Sequence, residues 1–342
     1  MAECIDPNIV PKRRLYTGCE IPAVGIGTFG SDKYGSEEIS DAVYGAVESG
    51  YRLIDCASVY QNEKEIGAVL KRLFDNKVVT RDELFITGKV WNDMHGEGEV
   101  MISCRQSLED LGLDYFDLYL VHWPFPNYHA PGCGGDSRNP YSRPFFTEEF
   151  MAVWRQCESL IEKGLAKHIG MSNMTIPKLE RVLPLCRIRP AAIEMELHPG
   201  FQQPELFTYV REHGIVPIGY CPLGSPSRPE RDRTAEDVSD MELPEVLEAA
   251  EAHKVHPAVI CLKWAVQNGQ IPIPFSVKPE QYTENLRCVT EDPLTEEEME
   301  KIRKADKNCR LVKGQVFLWE GARSWEDLWD MDGEIKGWQN LP

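Results

Sequence analysis

Short apolar runs rich in β-branched and aromatic residues recur along this chain, separated by segments in which apolar positions follow a helical spacing. Helical segments such as 37–50, 98–112 and 148–164 end in Gly, the usual helix stop. Eight repeats without a linker predict parallel strands joined by helices, which is a single-domain α/β fold, a (β/α)8 TIM barrel spanning residues 1–342. The eight apolar runs lie at residues 24–29, 51–55, 84–89, 116–122, 166–172, 191–196, 215–220 and 270–275.

Two segments interrupt this alternation. Residues 124–147 follow the fourth apolar run and residues 222–242 follow the seventh, and both are rich in Pro, Gly and charged residues. Each leaves the carboxyl end of a predicted strand, the face on which barrel enzymes build their active sites. The sequence therefore predicts long βα loops at the mouth of the barrel.

The C-terminal segment from residue 311 to residue 342 is unusually rich in tryptophan. We expect this tail to pack on the barrel as a C-terminal extension, either over the mouth or as a plain structural cap. Its tryptophans are Trp319, Trp325, Trp329 and Trp338.

Composition narrows the class of protein. The 342 residues include 37 Lys and Arg against 55 Asp and Glu, a net charge of −18, which argues against a nucleic-acid or anionic-membrane partner. No apolar run is long enough to span a membrane, and the N-terminus lacks a signal-peptide core. Eleven cysteines without a C-x-x-C pair, together with the absence of metal-ligand spacings, indicate a reduced, cytoplasmic protein without a metal site.

The stretch GIGTFG at residues 25–30 matches the dinucleotide-binding fingerprint of Rossmann folds. That fingerprint requires the glycines to turn a strand directly into a helix. Here the helical pattern begins only near Ser36, and the glycines lie inside the apolar run. The match is therefore a weak argument for a Rossmann fold.

Polar side chains stand at the carboxyl ends of three predicted strands. Asp55, Lys89 and His122 end the second, third and fourth runs, and Tyr60 follows Asp55 in the next loop. Taken singly, they have ordinary structural explanations, but in a barrel all four point into one mouth. An adjacent ammonium is expected to lower the pKa of the phenol from its usual value near 10, while the carboxylate holds the lysine. Together they predict a proton-transfer group, with the histidine orienting a carbonyl or relaying the proton.

The chain resembles the aldo-keto reductase family over almost its whole length. The resemblance implies a barrel that binds a nicotinamide dinucleotide without a Rossmann fold and interconverts carbonyls and alcohols reversibly. It makes Tyr60 the general acid in reduction, Lys89 and Asp55 the pair that tunes it, and His122 the carbonyl-orienting residue. The motifs that carry it are GYRLIDCASVYQNEKEIG, LFITGKVWND, SLEDLGLDYFDLYLVHWP, GLAKHIGMSN, ELHP and YCPLGSP.

The same resemblance implies the binding residues. Ser172 and Asn173 match the carboxamide-binding pair, and Tyr220 matches the ring that stacks on nicotinamide. Leu223 to Ser225 would lie along the pyrophosphate, with the following insertion as a clamp. The aromatic substrate-pocket positions, shared with His122, are Phe29, Trp91 and Trp123. The remaining cofactor positions that match are Gly27, Thr28, Asp55, Ser276, Glu284 and Asn285.

Two departures from the family pattern concern the cofactor. Ile193 and Glu194 stand where the family has Asn-Gln, and a carboxylate cannot donate to the carboxamide oxygen unless it is protonated. Two hypotheses follow: Glu194 has a raised pKa, or it favours the positively charged oxidised ring.

The second departure lies in the loop that holds the adenosine 2′-phosphate. Phe275 and Gln281 replace the two cations that the family uses there, and Lys278 is a partial substitute. Losing two charge-assisted bonds of roughly 1.5–3 kcal/mol each favours NADH or dual use over strict NADPH use.

The predicted reaction is NAD(P)H-dependent reduction of an aldehyde, ketone or sugar carbonyl, and the polar insertion at 124–147 weakly favours a sugar. Two alternatives stay open. One is an alcohol or sugar dehydrogenase that works in the oxidative direction. The other is a non-catalytic barrel that binds nucleotide as a sensor, which would have no use for the acid. The expected partner is a small molecule, and the chain is expected to be a monomer, with a dimer left open.

Overall fold

The structure is a computed structural model that describes residues 4–31, 33–130, 132–135, 137–226 and 228–337. Within them, an antiparallel hairpin of β1 (Lys12–Arg14) and β2 (Glu20–Pro22) precedes eight parallel strands arranged in chain order. These strands are β3 (Ile26–Gly27), β4 (Leu53–Asp55), β5 (Phe85–Val90), β6 (Phe116–Val121), β7 (Ala166–Ser172), β8 (Ala192–Glu196), β9 (Val216–Tyr220) and β10 (Ile271–Pro272).

The first and last of these strands meet and close the barrel. Gly25 N donates to Pro272 O at 3.1 Å, and Gly27 N donates to Pro274 O at 2.9 Å. The predicted (β/α)8 barrel is confirmed, with a strand in each of the eight predicted runs. β10 is shorter than the run that predicted it because Pro272 and Pro274 have no N–H to continue a ladder.

The glycines of GIGTFG serve barrel closure rather than a phosphate turn. A Cβ added at Gly25 would lie 2.6 Å from Leu53 Cγ, so only glycine permits this close approach of β3 to β4. The first helix begins at Ser36, as the sequence predicts, and the Rossmann interpretation is wrong.

Helices link the strands and cover the barrel. The local sequence sets where these helices begin and end. Gly50 and Gly112 end the first and third helices in the left-handed conformation, and Pro204 begins the sixth helix. No described helix is both long and apolar enough to cross a membrane. The helices are α1 (Ser36–Ser49), α2 (Glu63–Asp75), α3 (Glu99–Leu111), α4 (Thr147–Glu162), α5 (Ile176–Val182), α6 (Pro204–Glu212), α7 (Pro244–His253), α8 (Pro257–Asn268), α9 (Pro279–Arg287) and α10 (Glu296–Lys304).

Strand alternation divides the core into two layers. In β6, Leu118 and Leu120 pack inside the barrel, where the hairpin contributes Leu15, while Tyr119 and Val121 pack outward against helices. The same alternation in β4 and β5 turns Leu53 and Phe85 inward, so the residues two and four positions later on these strands also face the interior. Asp55, Thr87 and Lys89 occupy those positions, and the barrel therefore carries polar groups at its carboxyl end.

The tail, defined here as residues 311–337, packs over the mouth. Trp91, Trp123 and Phe125 form a cluster with Phe317 and Trp329, and the rings of Trp123 and Phe317 are 4.4 Å apart. The predicted tail residue Trp338 lies outside the described residues.

Two buried polar clusters anchor this tail. Lys178 Nζ on α5 is 2.5 Å from Asp330 Oδ2 and donates to Leu328 O at 2.8 Å. At the other end, Glu196 accepts from the backbone N–H of Leu311 at 2.7 Å and of Val312 at 3.0 Å.

His198 links Glu196 to the loop that carries Asp240. Its Nε2 is 3.0 Å from Glu196 Oε1, and its Nδ1 is 2.8 Å from Asp240 Oδ2. Burial lowers the pKa of His198, but the carboxylates of Asp240 and Glu196 outweigh burial and raise this pKa to about 9. The imidazolium therefore stabilises the attachment of both the tail and the loop.

This cluster predicts a pH dependence of stability. The pKa of His198 is higher in the folded than in the unfolded protein, so its contribution is complete below about pH 6.5 and is lost as the pH rises through about 9. Compared with His198→Gln, the wild type should lose on the order of 3 kcal/mol of unfolding free energy across this range. Chemical denaturation between pH 6 and pH 9.5 measures it, with the same substitution at the exposed His213 as the control. If the unfolding free energies of the wild type and His198→Gln changed with pH in parallel, the assignment of a charged His198 to this cluster would be contradicted.

Candidate active site

One cavity of about 660 Å³ opens at the carboxyl ends of the strands. Nearly every predicted site residue lines it; Lys89 and Ser172 do not and are fully buried. The predicted residues that line it are Gly27, Thr28, Phe29, Asp55, Tyr60, Trp91, His122, Trp123, Asn173, Glu194, Tyr220, Leu223, Ser225, Phe275, Ser276, Lys278, Gln281, Glu284 and Asn285.

Lys89 is the centre of the polar group inside the barrel. Its ammonium forms an ion pair with Asp55 and lies 3.4 Å from both the Tyr60 hydroxyl and Glu194 Oε1. Thr87, two residues earlier on the same strand face, donates to the second oxygen of Asp55 at 2.5 Å. Burial lowers the pKa of Lys89, but Asp55, Glu194 and Tyr60 raise it well above its usual value. The ammonium is therefore charged at neutral pH.

The Tyr60 phenol differs from the expectation drawn from its neighbours. Burial raises its pKa, and Lys89 lowers it by less than burial raises it. The reason is that the buried Asp55 carboxylate already balances the ammonium, so little of its net charge acts on the phenol. Tyr60 is protonated at neutral pH, which is the state a general acid needs, and it points its hydroxyl at a cation that would stabilise the phenolate.

His122 stands beside this phenol with an uncharged ring. Burial, Lys89 and His129 lower its pKa well below the usual value. The His122 ring lies edge-on to the rings of Tyr60 and Trp91, with ring centroids 5.8 Å and 5.0 Å apart. Its Nδ1 has no hydrogen-bond partner among the described residues. A neutral imidazole in this position can hold a polar atom of a ligand without adding charge.

Glu194 lies on β8 and completes the group around Lys89. Its side chain is 3% exposed, and no described residue forms a hydrogen bond with its Oε2. Burial and the nearby Asp55 raise its pKa to about 8, against the opposing effect of Lys89. At neutral pH this carboxyl is therefore largely protonated and can donate as well as accept one hydrogen bond.

The ends of β7 and β9 form a second polar wall. The Asn173 side chain donates to His122 O at 2.9 Å and accepts from the Tyr220 hydroxyl at 2.6 Å, which fixes the Tyr220 ring. Ser172 Oγ, His122 Nδ1 and Glu194 Oε2 are buried and have no hydrogen-bond partner in the part of the chain that the structure describes. Because buried polar groups in folded proteins are normally satisfied, these atoms fit a polar ligand such as the nicotinamide carboxamide.

The far end of the cavity is the region predicted to hold the adenosine. Ser276 Oγ donates to Gln281 Oε1 at 2.7 Å and accepts from Lys278 N at 3.0 Å. The Phe275 ring packs against Tyr34 at 5.5 Å. Lys278 is exposed and supplies the cation of this short loop.

The insertion at 222–242 overhangs the cavity and is tied to the tail. Arg228 and Lys313 both pair with Asp237, the latter at 3.2 Å, and Lys313 also donates to Thr234 at 2.5 Å. Lys313 therefore links the tail to this loop.

The opposite side of the cavity is aromatic. Trp91 and Trp123 are nearly buried, Phe29 is 37% exposed, and the Phe29 ring lies 5.2 Å from the Tyr60 ring. The tail adds Val316 and Phe317 to this wall.

Sequence reasoning missed several residues of the site. Thr87 was identifiable, because it precedes Lys89 by two positions on one strand. His129, from the 124–147 insertion, and the bridging pair Lys313 and Asp237 carry no local signal, since their positions depend on how two irregular segments pack.

A barrel that gathers Asp, Tyr, Lys and His at its mouth defines a class of oxidoreductases that act on carbonyl groups. Residues 23–307 match the model of the Aldo/keto reductase family. The chain belongs to this family, whose members are NAD(P)H-dependent oxidoreductases, and the predicted family and enzyme class are confirmed.

Individual relatives cover most of the chain. It is 38% identical over 317 residues to the aldo/keto reductase slr0942 of Synechocystis sp., covering 92% of this chain and 95% of that protein. It is 36% identical over 303 residues to human aldo-keto reductase family 1 member A1, covering 87% of this chain and 90% of that protein. The crystal structure of Bombyx mori aldo-keto reductase (AKR2E4) in complex with NADP matches with a TM-score of 0.78 at 31% identity, covering 90% of this chain and 96% of that one.

Replacing the central cation tests this electrostatic arrangement. Lys89→Met leaves the Asp55 carboxylate buried without a counter-ion, so unfolding free energy at pH 7 should fall by about 3–5 kcal/mol. Lys71→Met, which removes the exposed Lys71–Asp75 pair, should cost less than about 1 kcal/mol. Urea denaturation of the wild type and the two variants measures these losses. Equal losses of unfolding free energy in both variants would contradict the proposed charge balance around Lys89.

Proposed function

We propose that this protein reduces an aldehyde or ketone reversibly to its alcohol with a nicotinamide dinucleotide, and that Tyr60 supplies the proton. The observation that supports this most directly is the Tyr60 hydroxyl at the cavity wall, 3.4 Å from the Lys89 ammonium that pairs with Asp55. A binding-only barrel would have no use for a half-buried phenol in contact with a buried ammonium and carboxylate.

Each side chain has a separate task in this proposal. Tyr60 donates its proton to the carbonyl oxygen, and Lys89 stabilises the phenolate left behind. Asp55 keeps the ammonium charged and in position. His122, which is neutral, orients the carbonyl through a ring nitrogen. The reduced nicotinamide supplies the hydride when it is bound, and water returns the proton to Tyr60 after the product leaves.

The binding assignments extend this proposal to the cofactor. Ser172, Asn173 and Glu194 would hold the carboxamide, and the Tyr220 ring, fixed by Asn173, would face the nicotinamide. Leu223 and Ser225 would contact the pyrophosphate under the 222–242 loop. Gly27 and Thr28 line the other side of the cavity.

The substrate side favours a carbonyl with an apolar body. Phe29, Trp91, Trp123 and Phe317 supply rings to this wall. The polar insertion at 124–147, which suggested a sugar from sequence, reaches the cavity through His129, whose ring packs on Trp91 and Phe317. We therefore favour an aromatic or aliphatic aldehyde over a sugar.

Removing the Tyr60 hydroxyl tests the proposed acid. Tyr60→Phe should lower kcat for reduction of an aromatic aldehyde by about 10²–10⁴-fold, because the proton donor is lost, while dinucleotide affinity stays within about threefold. Steady-state kinetics and fluorescence titration measure the two quantities. Tyr34→Phe, which removes a hydroxyl elsewhere in the same cavity, is the control. Unchanged kcat in Tyr60→Phe would refute the assignment.

The cofactor preference is a separate proposal. We expect NADH to bind at least as tightly as NADPH, because Phe275 and Gln281 bring no cation to the adenosine end and the cation of Lys278 is solvent-exposed. Installing Phe275→Lys with Gln281→Arg should tighten NADPH binding by about tenfold or more and leave NADH nearly unchanged.

Fluorescence titration with both dinucleotides measures the preference. Ile102→Lys with Gln106→Arg adds the same two charges on the exposed face of α3 and controls for net charge. Parental binding of NADPH far tighter than NADH would contradict the proposed preference and leave the carbonyl chemistry untouched.

A further inference from the structure

We propose that Glu194 selects the redox state of the cofactor: its carboxyl, shared between Lys89 and the nicotinamide site, favours oxidised dinucleotide when ionised and reduced dinucleotide when protonated. This inference rests on the proposed function, since it assigns a specificity-determining role at the same site.

The geometry places Glu194 between the cation and the cavity. Its Oε1 is 3.4 Å from Lys89 Nζ, its buried Oε2 has no hydrogen-bond partner among the described residues, and the side chain lines the cavity. The backbone N–H of Asn173 donates to the backbone carbonyl of Glu194 at 3.0 Å, which places β8 at this point beside the wall formed by Asn173 and Tyr220. The carboxyl therefore faces the cation on one side and lies at the cavity wall on the other.

The charge count around Lys89 makes this carboxyl a switch. Asp55 alone neutralises the ammonium, so a protonated Glu194 leaves the pair neutral and an ionised Glu194 adds one uncompensated negative charge. A nicotinamide ring is positively charged when oxidised and uncharged when reduced. Because the interior has a low dielectric constant, the added charge stabilises the oxidised ring selectively.

The lysine and the two tyrosines that face Glu194 titrate well above the range in which Glu194 does. From β4, β5 and the loop after β4, it faces Asp55, Lys89 and Tyr60, and from β9 it faces Tyr220. The pKa values of Lys89 and both tyrosines are raised well away from neutrality. Glu196 on the same strand is held ionised by His198 and Arg310, with a lowered pKa.

The consequence is a coupling between pH and reaction direction. Near pH 7, where burial keeps Glu194 largely protonated, reduced cofactor is favoured and the protein is set for carbonyl reduction. Above its pKa of about 8, the ionised carboxyl favours oxidised cofactor and alcohol oxidation. Oxidised dinucleotide should therefore release a proton from Glu194 when it binds.

The test compares the wild type with Glu194→Gln, which has nearly the same shape and cannot ionise. Fluorescence titrations with the oxidised and reduced forms of the preferred dinucleotide, from pH 6.5 to pH 9.5, give the ratio of the two Kd values, oxidised over reduced. In the wild type this ratio should fall by about tenfold or more as the pH rises, since one unit of differential pKa equals tenfold. In Glu194→Gln the ratio should stay constant. Other titrating groups are common to both proteins and cancel.

A second measurement does not depend on the cofactor. At pH 6.5 the infrared spectrum of the wild type minus that of Glu194→Gln should contain a protonated-carboxyl band that diminishes as the pH rises through about 8. Glu63, whose pKa is raised to about 7 by burial, contributes to both spectra and cancels. Identical Kd ratios at every pH in the two proteins, or no such band, would overturn the role of Glu194. Failure of either dinucleotide to bind the wild type would instead overturn the proposed function.

Discussion

The ion pair between Lys89 and Asp55 joins two neighbouring strands inside the barrel, and the other groups of the site take their charge states from it. Neither side chain has water to solvate its charge, so each is stable there only because the other is present. Glu194 and Tyr60 each lie 3.4 Å from the same ammonium, and burial keeps both protonated at neutral pH because Asp55 already balances the cation. The proposed proton donor, the cation beside it and a titratable carboxyl therefore depend on one buried contact.

Strand alternation explains why the sequence predicted so much of this arrangement. Once Leu53 and Phe85 are assigned inward, Asp55 and Lys89 must face the same interior, and the carboxyl ends of parallel strands bring His122 beside them. The charge states were harder to predict, because they depend on burial. Lys89 does lower the pKa of Tyr60, as expected, but burial raises this pKa by more, so the net shift is upward.

Irregular segments account for what the sequence did not reveal. The order of Trp, Phe and Gly residues in the tail does not encode which rings meet, yet Phe317 packs on Trp123 and helps to shape the substrate wall. The contact of Lys313 with Asp237 joins two segments that lack helical or strand periodicity, so no pattern predicted it. Through this contact the tail that lines the substrate side also restrains the loop proposed to cover the cofactor. The proposed substrate and cofactor sites are therefore linked through one ion pair.

The most direct measurement of the central claim is neutron diffraction from crystals of the deuterated protein near neutral pD, which locates the protons around Lys89. The account predicts three deuterons on Lys89 Nζ, one on the Tyr60 hydroxyl, one on the Glu194 carboxyl and none on Asp55. A neutral Lys89 amine, or an ionised Glu194 beside a protonated Asp55, would contradict it, because the ammonium would then lack the balanced environment on which the proposed proton transfer depends.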